Sequence, residues 1–210
     1  MRSYGEYCSV AKSLDVIGDR WTLLIVRELL LRGSCRYTDL RNGLPGVATN
    51  LLAERLRELE QAGVVSRVEA PPPVATTVFA LTERGRALEP VLDELARWGI
   101  PYMVEGPAPA DEFRSHWLAW PARLFLRDRN PDGPPVQIAL RVDGEDAVLE
   151  SDHGEINVRP GPAADAAAVL TGPPHAILGV FSGQVDPERA ADQGLTITGD
   201  VGALRRLQPG

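Results

Sequence analysis

The chain has 210 residues, a length that fits one or two domains. Hydrophobic residues make up 44% of it and charged residues 24%, which excludes intrinsic disorder, collagen-like chains and small disulfide scaffolds. The formal net charge of −7 by itself argues against a nucleic-acid partner, because phosphate binding depends on positive charge. That argument holds only if the charge is evenly distributed along the chain.

Charge and composition both change near residue 105. Residues 1–105 carry 13 basic and 14 acidic residues, whereas residues 106–210 carry 9 and 15, so most of the excess acidity belongs to the second half. Twelve of the 18 prolines lie beyond residue 105, and residues 105–110 have the composition of a linker, since X-Pro steps favour extended chain. We therefore expect a first domain at 1–105 and a second at 106–210.

Signals for other compartments and for enzyme chemistry are missing from the sequence. The N-terminus lacks the apolar core of a signal peptide, and no run approaches the roughly 18 apolar residues of a membrane span, which predicts a cytoplasmic protein without a membrane partner. Cys8 and Cys35 form no CxxC motif, so neither a zinc site nor a disulfide framework is indicated. Nucleophile-elbow, P-loop and dinucleotide-binding motifs are also missing. We expect no metal, no cofactor and no enzyme activity.

Hydrophobic periodicity predicts four helices at the start of the chain. They cover residues 8–17, residues 20–31 with Asp19 as N-cap, residues 36–41 with Ser34 as N-cap, and about 48–62. Strands are predicted at 64–69 and 76–81, with a stiff proline tip at 71–73 between them, followed by a helix at 83–98. This is the order of a winged helix-turn-helix, in which the third and fourth helices form the DNA-reading pair.

The fourth predicted helix has an apolar face and a polar face. At about 100° per residue its leucines form one stripe, whereas small, amide and basic residues share the opposite side. Such residues near a helix N-terminus suit a major groove, where amides read adenine and arginine reads guanine or phosphate. An ordinary solvated face is the alternative interpretation. Arg55 points toward the apolar side, so we expect it to pair with a carboxylate.

The motifs of this region occur in a characteristic order. They are CSV at 8–10, LDVIGDRWT at 14–22, RYTDL at 36–40, LPGV at 44–47, RLRELE at 55–60, GVV at 63–65 and LTERG at 81–85. On these motifs, residues 7–99 resemble the HxlR-type regulators, winged-helix transcription factors related to the MarR group. The resemblance implies a homodimer, built largely from the first and last helices of the domain, that binds a pseudo-palindromic operator in double-stranded DNA and usually represses transcription. Many members carry a basic residue early in the recognition helix where this chain has Asn50.

The winged-helix arrangement predicts three kinds of DNA contact. The expected residues are Arg36 and Tyr37 for phosphates, Thr49, Asn50, Ala53 and Arg57 for base edges, and Arg67 for the backbone beside the wing. Between residues 32 and 67 six arginines stand against four acidic residues, a local charge of only +2. Non-specific binding should therefore be weak and should depend strongly on salt and on dimerisation.

Cys8 has two interpretations. In some HxlR-type regulators a cysteine at the corresponding position is a redox sensor for electrophiles or oxidants, and Lys12, one helical turn later, would favour the thiolate. The alternative is a small hydrophobic side chain buried in the first helix. Cys35 is expected to be a loop residue.

The second half predicts helices combined with a small sheet. A helix at 111–126, kinked at Pro121, precedes strands at 136–142, 146–150, 154–159 and 166–170. Helices at 173–181 and 186–190, a fifth strand at 195–199 and a helix at 201–207 capped by Asp200 complete the pattern.

This order, with VLTG at 169–172, DP at 186–187 and GLTITGD at 194–200, resembles the sterol-carrier-protein-like fold. The resemblance implies an α/β domain with a five-stranded sheet and a hydrophobic cavity for an apolar or lipid-like small molecule. Candidates for the cavity lining, each of which is otherwise plain core, are Trp117, Trp120, Phe125, Leu178 and Phe181.

The expected fold class is multidomain α+β, with an N-terminal winged helix-turn-helix and a C-terminal sterol-carrier-like domain. The leading hypothesis is a dimeric, sequence-specific transcriptional regulator whose acidic C-terminal domain senses an apolar small-molecule effector. One alternative is a lipid or apolar-ligand carrier that uses its first domain for dimerisation or protein interaction. Another makes the C-terminal domain a dimerisation surface without a ligand.

Overall fold

A computed structural model describes residues 3–69, 76–103 and 106–210, so the proline run at 71–73 and Glu105 lie outside the described residues. The chain divides into two compact units that meet in sequence between Leu95 and Ala96. Within the described residues, no helix combines the length and the apolar character that crossing a membrane requires. In the same ranges, no group of three or more His, Cys, Asp and Glu side chains is placed to hold a metal ion.

The first unit contains most of the predicted helices and a small sheet. Its elements are α1 (Ser9–Ile17), α2 (Thr22–Arg32), β1 (Ser34–Arg36), α3 (Tyr37–Gly43), α4 (Thr49–Gln61), β2 (Val65–Glu69), β3 (Thr77–Leu81) and α5 (Glu83–Arg86). The strands form an antiparallel sheet in the order β1-β3-β2, and the β2-β3 hairpin is the wing. The helix α6 (Glu89–Gly99) follows α5. The predicted winged helix-turn-helix is confirmed.

Aliphatic side chains from α2, α3 and α4 form the core of the first unit. The side chains that are at most 1% exposed include Ile25, Val26, Leu29, Leu40, Leu44, Leu52, Leu56 and Leu59. Burying each such side chain contributes about 1.5–3 kcal/mol relative to exposing it. Because the three leucines at 52, 56 and 59 lie on one side of α4, the opposite side of this helix is turned to solvent.

The starts of α2 and α3 differ from the prediction. Trp21, with a φ of +77°, takes the N-cap position of α2, and the predicted cap Asp19 instead accepts a hydrogen bond from Arg55. Ser34 does not cap α3, because it lies in β1 and α3 begins three residues later. The backbone N–H of Arg36 donates to the carboxylate of Asp39 at that helix start. In both places the residue suited to capping has another role: Asp19 pairs with Arg55, and Ser34 belongs to a strand.

The last predicted helix of the first half is divided in two. α5 ends at Arg86 and α6 begins at Glu89. Pro90 lies in the first turn of α6, and it has no backbone N–H to donate to the carbonyl of Arg86. The side chain of Thr82 caps α5 by accepting a hydrogen bond from the N–H of Gly85 at 3.1 Å. A continuous helix at 83–98 was therefore a wrong prediction.

The second unit is an α/β domain. Its elements are α7 (Ala119–Phe125), β4 (Leu126–Asp128), β5 (Val136–Val142), β6 (Glu145–Asp152), β7 (Glu155–Pro160), β8 (Ala168–Gly172), α8 (Pro174–Phe181), β9 (Thr196–Gly199), α9 (Val201–Arg206) and β10 (Leu207–Pro209). Five strands pair in the order β7-β6-β5-β8-β9, with β5 and β8 parallel and the other pairs antiparallel. β4 and β10 form a separate antiparallel pair. The predicted five-stranded sheet is confirmed.

Two helices of the second unit differ from the prediction. A 3₁₀ helix at Ser115–Leu118 and α7 replace the predicted helix at 111–126. Pro121 lies in the first turn of α7, where a missing N–H is tolerated, so it causes no kink. A 3₁₀ helix at Pro187–Gln193 replaces the helix predicted at 186–190. The cap of α9 is as predicted, since Asp200 accepts a hydrogen bond from the N–H of Gly202 at 2.7 Å.

A buried ion pair fastens the C-terminal end to the domain. The guanidinium of Arg206 donates from Nε and Nη2 to the two carboxylate oxygens of Asp128, at 2.8 and 2.7 Å. The hydroxyl of Ser151 donates to the same carboxylate at 2.5 Å. The Asp128 side chain is 1% exposed, and these donors lower its pKa to about 2. The pair holds β4 and the end of α9 together beside the β4-β10 ladder.

Candidate nucleic-acid interface and ligand cavity

The outward face of α4 presents the predicted base-reading side chains. Thr49, Asn50 and Arg57 are exposed, and Ala53 is half-buried among them. The N-cap residue Ala48 makes no side-chain cap hydrogen bond, so the first N–H groups of α4 have no side-chain acceptor there. Free N–H groups and the positive end of the helix dipole both favour a phosphate at this helix start.

Tyr37 connects α3 to the start of α4. Its hydroxyl donates to the backbone carbonyl of Thr49 at 2.7 Å. A tyrosine hydroxyl has one proton, and here that proton is committed inside the protein. The arrangement makes Tyr37 a residue that positions α4, and sequence reasoning had assigned it to phosphates because nothing in the sequence marks this partner.

Three arginines near α3 and α4 carry charge that the protein does not neutralise. Arg36, Arg41 and Arg57 are exposed and make no ion pair with the residues that the structure describes. The other three arginines of this region are paired with carboxylates. They are Arg32 with Glu28 at 3.2 Å, Arg55 with Asp19 at 2.9 Å and with Glu58, and Arg67 with Glu60 at 3.0 Å. The pairing predicted for Arg55 is confirmed.

The wing arginine is held against its own domain. Arg67 pairs with Glu60 at the end of α4, and its guanidinium lies 5.4 Å from the centre of the Phe79 ring. Its side chain is nevertheless 50% exposed. Any anion that binds at the wing would have to compete with Glu60 for this charge.

A buried carboxylate supports the turn between α3 and α4. Glu28 is fully buried in α2, and its oxygens meet Arg27 at 2.9 Å and Arg32 at 3.2 Å. The end of α3 packs so closely on it that a Cβ at Gly43 would overlap Glu28 Oε2. Sequence reasoning missed this group, although a glutamate within a helix that is apolar on nearly every face was a usable signal.

Cys8 is exposed and lies at the N-cap of α1. The nearby backbone N–H groups of Ala11 and Val10 at the start of α1 lower the pKa of its thiol. Lys12, which was expected to supply the positive charge, instead pairs with Asp15 at 3.6 Å. The alternative of a buried small hydrophobe is therefore wrong for Cys8.

Cys35 has the opposite environment. It is 1% exposed, in β1 and not in a loop as expected, and burial raises the pKa of its thiol to about 11. Since the thiolate is the reactive form, Cys35 is an inert core residue at neutral pH.

Two helices expose apolar side chains. On α1 and the segment before it these include Tyr7, Val10 and Leu14, and on α6 they are Val91, Leu95 and Trp98. The α6 residues follow the spacing i, i+4, i+7, so they share one side of that helix. The Trp98 ring also meets Tyr102, with 5.1 Å between ring centres.

The second unit contains a cavity of about 580 Å³, within the range of small-molecule sites. Its walls are mainly aliphatic, from β6, α8, β9 and the C-terminal segment 201–209, which supplies Val201, Leu204 and Leu207. Asp186 and Arg205 are the charged residues of the lining. The resulting site suits a mostly apolar molecule.

Of the five residues predicted to line a cavity, the structure places Phe181 in this wall. Leu178 instead lines a second cavity of about 230 Å³. Trp117, Trp120 and Phe125 are not among the residues that line either cavity. The size of their rings did not predict a place in the cavity lining, because size does not determine which side of a helix faces the sheet. The C-terminal lining residues carry no such conspicuous signal and were missed.

The aromatic side chains near α7 pack among themselves. The Trp117 ring meets Phe113 and His116, with ring centres 6.4 and 5.9 Å apart. Trp120 is 5% exposed, and the Arg123 guanidinium lies 4.7 Å from its ring centre. They belong to the core that surrounds α7.

Two known protein families match separate parts of the chain. The profile of the HxlR-like helix-turn-helix family matches residues 16–106, and that of the SCP-2 sterol transfer family matches residues 132–209. The C-terminal region is thus an SCP2-type domain.

Similar proteins cover the N-terminal region. The uncharacterised HTH-type transcriptional regulator YvaP of Bacillus subtilis is 38% identical over 92 residues, which are 44% of this chain and 84% of YvaP. The HTH-type transcriptional regulator YodB of the same organism is 32% identical over 100 residues, which are 48% of this chain and 88% of YodB. The solved structure of reduced YodB is 32% identical over 49% of this chain and 100% of that chain, with a TM-score of 0.41.

Proposed function

Because this chain belongs to the HxlR-like helix-turn-helix family of transcriptional regulators, we propose that it binds a specific operator in double-stranded DNA as a homodimer. The observation that carries the proposal is α4, whose leucines anchor one face in the core while Asn50, Ala53 and Arg57 stand on the other. A helix held in this way presents the same side chains to each operator half-site. We expect the dimer to act as a repressor.

Each side chain has a distinct role in this proposal. Asn50 reads base edges in the major groove with Thr49 and Ala53 beside it, and Arg57 reads a base edge there while its charge neutralises a neighbouring phosphate. Arg36 and Arg41 neutralise phosphates, and Tyr37 sets the position of α4 through its bond to the Thr49 carbonyl. Arg67 contributes to DNA binding at the wing when a phosphate replaces Glu60 as the partner of its guanidinium.

The apolar faces of α1 and α6 support the homodimer. Exposed aromatic and aliphatic side chains arranged along a helix are typical of association surfaces. Trp98, at 68% exposure, is the largest of them on α6. The same faces set the separation of the two α4 helices, which must match one helical turn of DNA, about 34 Å.

The SCP2-type domain is proposed to bind an apolar small-molecule effector in the 580 Å³ cavity. Its aliphatic walls support that ligand class. Control of DNA binding requires the effector to have different affinities for the operator-bound and free dimer geometries. The cavity is also what distinguishes this proposal from the interpretation of the C-terminal domain as a mere dimerisation surface.

The DNA-binding proposal is tested with operator duplexes selected from a random library by the full-length protein. Asn50→Ala and Arg57→Ala should each weaken operator binding by about 1–3 kcal/mol and relax sequence preference at the bases concerned. Arg141→Ala in β5 removes the same charge from an exposed site in the second unit and serves as the matched control. Unchanged affinity and sequence preference in both α4 variants exclude α4 as the recognition helix.

The cavity also favours a second candidate function, that of a lipid or apolar-ligand carrier with a winged-helix domain for dimerisation or protein interaction. The two functions differ in their salt response. A regulator retains specific operator binding at about 150 mM salt, where the Debye length is about 8 Å. A carrier shows only weak, salt-labile association with DNA.

Cys8 is proposed to be a redox sensor. Its exposure and its position at the N–H groups of α1 support a reactive thiolate. Diamide treatment should therefore reduce operator binding of the native protein and leave Cys8→Ser unaffected. Loss of binding in both proteins, or in neither, removes Cys8 from this role.

A further inference from the structure

α8 separates the two cavities of the second unit. Val180 and Phe181 line the 580 Å³ cavity, whereas His175, Leu178 and Gly179 line the 230 Å³ cavity. At about 100° per residue the latter three fall within roughly 100° of one another, and the mean direction of Val180 and Phe181 is opposite to theirs. One short helix therefore forms a wall of both cavities.

Val185 completes this partition, since its side chain lines both cavities. Its backbone N–H donates to the carbonyl of Gly179 at 3.0 Å. A Cβ placed on Gly179 would lie 2.5 Å from Val185 Cγ2, which leaves no room for a methyl group between the helix and the valine. A displacement of Val185 or of α8 consequently changes the shape of both cavities.

The second cavity is bounded on its far side by the chain that leaves α6. Ile100 and Met103 line it from the 3₁₀ helix Ile100–Met103, which follows α6 directly. Gly106, with a φ of +81°, lies against His175, because a Cβ on it would be 3.3 Å from Nδ1 of that ring. The described chain on both sides of residues 104–105 therefore lies against α8.

α8 is poorly able to absorb a displacement locally. Residues 176–181 are all buried, so no side of the helix is exposed to solvent. Protein interiors have low compressibility, so a guest that presses on α8 from the large cavity displaces the helix as a unit. Movement of the wall toward the small cavity then shifts Ile100 and Met103, which line its far side.

We infer that α8 and Val185 couple occupancy of the large cavity to the position of residues 100–103. Because this segment continues α6, which carries the exposed face with Trp98, the coupling gives an effector a route to the dimer. The inference rests on the proposed function in that the natural occupant of the large cavity is an apolar ligand. The coupling itself is a property of the shared wall.

Met103 provides a direct readout, since the sequence contains only two methionines, Met1 and Met103. Labelling with [methyl-¹³C]methionine gives two resonances, and Met103→Leu identifies the relevant one. The apolar fluorophore 1-anilinonaphthalene-8-sulfonate is titrated into the full-length protein. We expect fluorescence to report binding and the Met103 methyl resonance to shift over the same concentrations.

Two valine truncations separate coupling from binding. Val185→Ala should keep fluorophore binding and lose the Met103 shift, because the side chain shared by the cavities is shortened. Val201→Ala removes the same two methyl groups from a residue that lines only the large cavity, and it should retain the shift. The fluorophore should change operator affinity by about fivefold or more in the native protein, and this response should disappear in Val185→Ala.

A variant that needs no ligand completes the experiment. Ile197 is half-buried and lines only the large cavity, so Ile197→Trp places an indole there. It should abolish fluorophore binding and displace the Met103 resonance by itself. If the native protein binds no fluorophore, the apolar-ligand proposal fails, and the Ile197→Trp spectrum still decides the coupling. If the fluorophore binds but Met103 stays unshifted, or if Val185→Ala responds like the native protein, the coupling is refuted while ligand binding stands.

Discussion

The division of the arginines into paired and unpaired groups predicts how operator binding depends on salt. Each protomer offers Arg36, Arg41 and Arg57 without an ion pair among the described residues, so a dimer offers six such charges. If each neutralises one phosphate, log K falls with log salt with a slope of about −5, at roughly −0.9 per phosphate. Raising salt from about 50 to 200 mM should then weaken binding by about 10³-fold.

Single substitutions should change that slope in opposite directions. Arg57→Ala removes two charges per dimer and should reduce the slope to about −4, whereas Glu60→Ala frees Arg67 in both wings and should steepen it to about −7. Arg141→Ala and Glu155→Ala make the same charge changes at exposed sites in the second unit and should leave it near −5.

Fluorescence anisotropy of a labelled operator duplex across this salt range measures each slope. A native slope steeper than about −9 would mean that the paired arginines also contact phosphate. An unchanged slope in Glu60→Ala would mean that Arg67 does not reach the DNA. Either result refutes the assignment of charges made from the ion pairs.

Three further predictions concern stability and assembly. Because the pKa of Asp128 is lowered to about 2, its ion pair with Arg206 should add about 2 kcal/mol to the free energy of unfolding above pH 4. This contribution should disappear as the pH falls from about 4 toward 2 and the carboxylate is protonated. Urea unfolding at pH 7 and pH 3 should show about half of this loss, and Asp128→Asn should be destabilised at pH 7 and less pH-dependent in that range. Gly43→Ala should cost about 1–3 kcal/mol by thermal unfolding, since its methyl group overlaps the buried carboxylate of Glu28, and a neutral result would show that α3 moves freely there. Trp98→Ser should shift sedimentation from dimer toward monomer without lowering the melting temperature of the monomer, and an unchanged dimer would exclude this face.

Periodicity predicted the order of the main helices and strands. Leucines at 52, 56 and 59 repeat at helical spacing, and their burial decides which face of α4 is left for DNA. The sheet of the second unit was equally predictable from the sequence, because β5 alternates between buried apolar residues and less buried ones. In both cases one local pattern reports directly on which side faces the core.

Features that depend on distant partners were not predictable in this way. Asp19 has the chemistry of an N-cap, but Arg55 from α4 takes its carboxylate. The hydroxyl of Tyr37 is committed to the Thr49 carbonyl, twelve residues away. Short strands such as β10 contain too few residues for an alternation to be recognised, so the C-terminal wall of the cavity was missed. Competition between partners becomes visible only when the chain is folded.

The two-sided construction of α4 has a consequence for how this regulator changes during evolution. Its position depends on leucines in the core, on Tyr37 and on the ion pairs of Arg55, and none of these residues is one of the proposed base readers Asn50 and Arg57. Substitutions at exposed positions such as 50 and 57 should alter stability by only about 0.5 kcal/mol. Operator preference can therefore diverge after gene duplication, or be reprogrammed by design, without compensating changes elsewhere in the domain.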